Sequence, residues 1–281
     1  MQTSCIFRRR IFPRALLRVI PNVAIAKFGG GGSNDNKYNA LIGKQVMNKN
    51  LSVTAIDKTS AFEAIPLVGS YKIDAEGVSA KEKIPLIENG MLKALLSDRV
   101  PAHGVSHSTG HKRLVWLGDL QPRLAPGVIE MTAKKTASAA QMKKQLIETA
   151  KKNGDEYAYI VRKIGMPASV DFSAMMSGKD PVEKPAYVYR VSVKDGTETL
   201  VRTATISKIT IDSFKEVLAV SDKKQAWNLP LAGISRMFQG RESGVHASFI
   251  VPKGILLPGI ELKKNDDVSL QKAPVTPNPV K

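Results

Sequence analysis

A single cysteine, Cys5, occurs in the whole sequence. No internal disulfide can form, and a zinc module built from several cysteines is excluded. The lone thiol fits a reducing compartment, so the cytoplasm is the expected location. Aromatic residues make up only 6% of the chain, and they do not interleave with the basic residues as in single-strand nucleic-acid binders. No helix-turn-helix or zinc-finger spacing occurs. No apolar run approaches the roughly 20 residues of a membrane-spanning helix, so no membrane partner is expected. Acidic residues are missing from positions 1–34, which carry Arg8, Arg9, Arg10, Arg14, Arg18 and Lys27. A basic, acid-free start is that of a targeting segment or of a reading frame cut short.

What is present is a basic chain of 281 residues with a formal net charge of +17 and 43% apolar residues. That content suffices for one large domain or two modest ones. The lysines are dispersed, with their densest groups at Lys134-Lys135, Lys143-Lys144 and Lys151-Lys152. Dispersed charge reads as a solvated basic surface, with nucleic-acid binding as the rival interpretation. The glycine run 29–36, "GGGGSNDN", has no lysine and hydroxyl residue at the spacing of a phosphate-binding loop, and reads as a linker.

From residue 51 onward the pattern is one of strands and turns. "LSVTAID" alternates as a half-buried strand. Residues 83–98 predict a hairpin turning at Asn89-Gly90, and residues 187–206 a second turning at Asp195-Gly196. In the second, Tyr187, Tyr189, Val191 and Val193 share one face. Residues 157–164, "HASFIVP" and "ILLPGIELKK" read as further strands. Residues 139–152 predict a helix that buries Met142, Leu146, Ile147 and Ala150 and stops at Asn153-Gly154. "IDSFKEVLAV" predicts another, capped by Asp212 or Ser213 and buried through Phe214, Val217 and Leu218. The tail beyond Asn265 is polar and proline-rich, and reads as disordered. The order implies an α+β fold that is β-rich, with largely antiparallel sheets and two or three short helices.

Two groups of residues could carry chemistry. "HGVSHSTGHKR" places His103, His107 and His111 at intervals of four. Histidines so spaced share a metal on a helix. Gly104 and Gly110, with Val105, Ser106, Ser108 and Thr109, make this a poor helix, and no glutamate stands beside a histidine as in H-E-x-x-H. A loop of this composition suits close approach to a peptide or anion. The second group is Asp74 and Glu76, two apart in "YKIDAEGV". On a strand they would share a face as an acid/base pair. In a solvated turn they would not.

Taken in order, several of these segments resemble the TldD/PmbA family of peptidases. The D-x-E-G turn falls on Asp74-Ala75-Glu76-Gly77, and the L-I-E-N-G-x-L-K strand on Leu86 to Lys93. The T-G-x-G-R loop falls on Thr109 to Arg113, and the P-G segment on Pro126-Gly127. The resemblance extends over residues 38–264, between a basic N-terminal segment 1–37 and a tail 265–281. It implies the family's β-rich C-terminal domain. In that family, TldD-like members carry an H-E-x-x-x-H zinc motif and a late cysteine ligand, and PmbA-like partners lack both. Paired subunits enclose a cavity and cleave unfolded or extended peptides.

This chain has no H-E-x-x-x-H and no cysteine after Cys5, and Lys112 replaces the loop's second glycine. A truncated chain could have lost the motif, but not the late cysteine. The resemblance therefore implies a zinc-free member, with no cofactor in this chain although catalytic members use zinc. No catalytic residue is assigned. Thr109, Gly110 and Arg113 are expected to line the peptide cavity, with Asp74 and Glu76 as further substrate-binding candidates. The expected partners are an extended peptide and a TldD/PmbA-type subunit, in a homo- or hetero-oligomer. The rival readings are a zinc peptidase with a rearranged site, using His103, His107 and His111 with Glu76 as base, and a basic nucleic-acid-binding protein.

Overall fold

The computed structural model describes residues 2–8, 38–100, 107–116, 120–164, 185–201, 204–206, 209–232 and 244–264. Among these, seventeen strands run in chain order as β1 Gln2–Arg8, β2 Leu51–Ala55, β3 Ala61–Phe62, β4 Ile65–Pro66, β5 Ile84–Glu88, β6 Met91–Leu92, β7 Lys112–Trp116, β8 Leu120–Leu124 and β9 Val128–Ala133. They continue as β10 Tyr157–Ile164, β11 Pro185–Ser192, β12 Glu198–Val201, β13 Ala204–Ile206, β14 Ala219–Val220, β15 Lys224–Ala232, β16 Gly244–Pro252 and β17 Gly254–Lys264. A single α-helix, α1 Ala139–Lys152, stands among the described residues.

Two sheets stack to form the core. One has the order β12-β11-β10-β1-β17-β13, with β14 also on β17, and the other the order β15-β16-β9-β2-β5-β6. Pairing is antiparallel except at β1–β10 and β9–β16. Leu51, Val53, Leu86 and Phe249 of the second sheet meet Val161, Val188, Ile255 and Leu257 of the first in one buried cluster. The first sheet is apolar on both faces. On its far side Ile160, Val191 and Leu256 pack against Met142, Leu146 and Ala150 of α1. Neighbours such as Ile160/Val161 and Leu256/Leu257 thus serve opposite layers, as the period of two requires. Tyr189, Val191 and Val193 do share the α1 side; the Tyr187 side chain lies outside the described residues.

Helix α1 follows its local signals. Ser138 and Gln141 form a reciprocal capping box at its start, and Lys151 and Lys152 occupy the last turn. Gly154 takes φ +75° just past its end. The hairpin 83–98 turns through Asn89 (φ 51°) and Gly90 (φ 79°), the paired positive angles of a type I′ turn.

Three expectations need correction. The fold class holds, but the second helix does not form. Residues 212–214 make only a 3-10 turn, and Ala219–Val220 joins β17 as a strand. The Leu218 N–H is taken by Leu256 O at 3.0 Å, and Val220 O accepts from Ala137 N. The exposed rim of β17 thus captures a backbone whose apolar spacing suited a helix, and Phe214 is still fully buried. The hairpin 187–206 is also not continuous: β12 pairs with β11, whereas β13 pairs with β17. Finally, the segment 1–37 is not wholly apart from the domain, since residues 2–8 lie inside the first sheet. The glycine run 29–36 and the tail 265–281 lie outside the described residues.

Candidate functional site

A buried polar cluster forms where β2 ends. Asp57 follows the strand and is fully buried. Its Oδ1 accepts from the backbone N–H groups of Gly127 (3.2 Å) and Val128 (2.8 Å). Its Oδ2 lies 2.9 Å from Nε2 of His111, which is also 0% exposed. The two atoms approach closely, yet neither completes an aligned hydrogen bond. The other ring nitrogen, Nδ1, is 2.9 Å from Thr109 O. A carbonyl only accepts, so that contact places a proton on Nδ1.

Around this pair the loop 107–113 is clamped from both sides. Thr109 Oγ1 accepts from Ser97 N at 2.7 Å and donates to Ser97 O at 3.0 Å. Ser97 Oγ donates to His107 O. Gly110 has φ +74°, and a Cβ there would lie 3.1 Å from Ser79 O, so glycine is the residue that suits the turn. Asp74 and Glu76 sit in a tight turn and not on a strand. Asp74 Oδ1 accepts from Glu76 N and Val78 N, and its Oδ2 accepts from Lys112 N. Glu76 Oε2 accepts from Arg99 N at 2.9 Å. Both carboxylates hold backbone in place, and they do not face one another as an acid/base pair.

Tyr71 and Arg113 complete the cluster. The Tyr71 hydroxyl donates to Gly110 O at 2.6 Å, and its ring meets His111 edge-on with centroids 6.1 Å apart. Burial first, and the Asp57 carboxylate second, push its phenol well above the usual range, so it stays a neutral donor. The Arg113 guanidinium lies 4.2 Å above the Tyr71 ring centroid, and Nη1 donates to Gly69 O at 3.2 Å. Desolvation lowers its pKa from the usual arginine value, without removing a charge this persistent. Among the described residues no carboxylate forms an ion pair with it.

Two glycines make the packing possible. A Cβ on Gly127 would lie 2.5 Å from both Asp57 Oδ1 and Tyr71 Cε1, and one on Gly69 would lie 2.2 Å from Gly127 O. Gly69 N in turn donates to the buried Ser248 Oγ, which donates to Asn228 Oδ1 at 2.6 Å.

Thr109, Gly110, Arg113, Asp74 and Glu76 therefore gather in one region with His111, while His107 is exposed at its rim. His103 lies outside the described residues, and His246 is exposed on β16. His111 is buried, with Nδ1 at Thr109 O and Nε2 close to Asp57 Oδ2, and among the described residues no three His, Cys, Asp or Glu side chains group around a possible metal position. Asp57 and Tyr71 escaped the sequence reading. The one available signal was an acid just beyond the end of an alternating strand.

The profile of the PmbA/TldA metallopeptidase C-terminal domain matches residues 33–264. The chain belongs to this family. Among solved structures, TldE from Thermococcus kodakarensis is similar with a TM-score of 0.61 and 13% identity, over 93% of this chain and 50% of that one. A protein from Thermotoga maritima, named a candidate modulator of a DNA gyrase, is similar with a TM-score of 0.53 and 13% identity, over 94% of this chain and 50% of that one. The PmbA/TldA-family chain thus spans about half the length of each of these two proteins, and at such identity the likeness is one of fold. A comparison with curated proteins finds no match. Among the described residues no helix is long and apolar enough to cross a membrane.

Proposed function

We propose that this domain is the peptide-holding, zinc-free side of a PmbA/TldD-type peptidase assembly. Arg113 carries the reading. Its guanidinium is held over the Tyr71 ring and tied to Gly69 O, and a planar cation with spare donors is suited to a peptide carboxylate or carbonyl. The buried Asp57–His111 pair fixes the loop beneath it, so Thr109, Gly110, Asp74 and Glu76 shape the site by holding backbone and do not touch the peptide themselves.

Catalysis would then belong to a TldD-type partner subunit. A zinc peptidase needs protein ligands and an open position for water, and the sequence has no H-E-x-x-x-H and no late cysteine. The partner, the substrate and the oligomer are part of the proposal.

The test is fluorescence anisotropy with a fluorescein-labelled, unstructured acidic peptide. The purified chain should bind it saturably, Arg113→Ala should bind it about tenfold more weakly, and Arg113→Lys should not restore binding. Absent binding, or equal binding by Arg113→Ala, would overturn the reading.

A further inference from the structure

Strand β1 has an unusual place. The first sheet runs β12-β11-β10 on one side and β17-β13 with β14 on the other, and β1 alone joins the halves. It is parallel to β10, with Ile6 opposite Ile160, and antiparallel to β17, with Ile6 opposite Leu256. Ile6, Ile160 and Leu256 thus form one row across three strands. All three are 0% exposed, and all belong to the cluster that seats α1.

The strands flanking this slot lie within the matched family domain, residues 33–264, whereas the occupant lies outside it. Residues 9–37 separate β1 from the next described residue, Tyr38. Fully extended, a connection of that length reaches about 100 Å, which leaves the strand able to serve a second copy. Without an occupant, β10 and β17 would present two unpaired backbone rims and an apolar row between them, the features that make an edge bind another strand.

We propose that the gap between β10 and β17 is a strand-binding site, that Gln2–Arg8 is a separable donor strand filling it, and that the site accepts the same segment in trans. Ile6 is the anchor that makes the site selective. The proposal does not rest on the peptide-holding role of Arg113, which concerns a different part of the fold.

The experiment keeps the folded full chain. A protease site is placed in the glycine run 29–32 and cut after purification. The probe is a fluorescein-labelled peptide of residues 1–10. The cut chain should take up one labelled peptide per chain. The uncut chain, whose own strand competes at an effective concentration in the millimolar range, should take up at least tenfold less at micromolar peptide. A peptide carrying Ile6→Asp should not be taken up. The full chain carrying Ile6→Asp, with its own strand impaired, should bind the unaltered peptide without cutting. No uptake by either the cut chain or the Ile6→Asp chain would overturn the proposal. So would equal uptake by cut and uncut chains, or equal uptake of the Ile6→Asp peptide.

Discussion

Asp57 Oδ2 and His111 Nε2 meet at 2.9 Å in a place where both side chains are fully buried. The aspartate also satisfies two backbone N–H groups, and the histidine reaches the Thr109 carbonyl. The pair ties the end of β2 to the loop 107–113 and to the turn at Gly127. Removing one member leaves the other without its close polar partner inside the protein.

Asp57→Ala should therefore destabilise the fold by about 2–4 kcal/mol, because it leaves His111 and two buried backbone N–H groups without their acceptor. His111→Ala should cost a similar amount. The double variant should lose less than the sum, because neither partner is then left alone. Urea denaturation of the four proteins measures this, and strict additivity would rule out a direct interaction.

Gly127→Ala tests the close approach beneath Tyr71. Its new Cβ would lie 2.5 Å from Asp57 Oδ1 and Tyr71 Cε1, and overpacking of this kind costs about 1–3 kcal/mol or more. Gly77 has φ +75° with open space around it, so Gly77→Ala carries backbone strain alone, about 1–2 kcal/mol. Gly127→Ala should have the lower Tm and should also weaken binding of the acidic peptide, whereas Gly77→Ala should leave the Arg113–Tyr71 stack and peptide binding unchanged.

Tyr71 gives a pH signature. Its phenol is raised above the unperturbed value of 10.0, so the folded state favours the protonated form. That stabilisation is complete below pH 10 and is lost as pH rises above it, where the unfolded chain ionises first. Stability should thus fall above pH 10 more steeply in the native protein than in Tyr71→Phe. Tyr71→Phe should itself cost about 1 kcal/mol near neutral pH through the lost bond to Gly110 O. Parallel slopes for the two proteins above pH 10 would show that Tyr71 is not responsible.

Zinc content separates the zinc-free reading from a rearranged histidine site. The purified chain should retain well under one zinc per chain after dialysis and should hydrolyse no casein. His107→Ala should change neither result. Stoichiometric zinc that disappears in His107→Ala, together with chelator-sensitive hydrolysis, would establish the rearranged peptidase instead.

Much of the architecture was legible before any coordinates. Ser138 and Gln141 announce the start of α1, and Asn153-Gly154 its end, because caps depend on residues within one turn of each other. Asn89-Gly90 marks a hairpin because both residues tolerate positive φ. The resemblance to the PmbA/TldA family lay in the order of such segments, and the profile match over residues 33–264 bears it out. The spacing of the histidine loop says little about where its side chains end. His107 and His111 stand four apart but end in different surroundings, one exposed and one fully buried.

Local order, then, was set by the sequence alone: alternation, turn chemistry and one capped helix follow from neighbours along the chain. Tertiary structure decided which strand received each free backbone. It turned residues 219–220 from helix to strand, sent β13 to β17, and placed β1 between β10 and β17. It also decided that His111 would meet Asp57, and that Arg113 would lie on Tyr71. Those outcomes depend on hydrogen-bonding rims and desolvated charges brought together from distant positions, and no pattern within a short window encodes them.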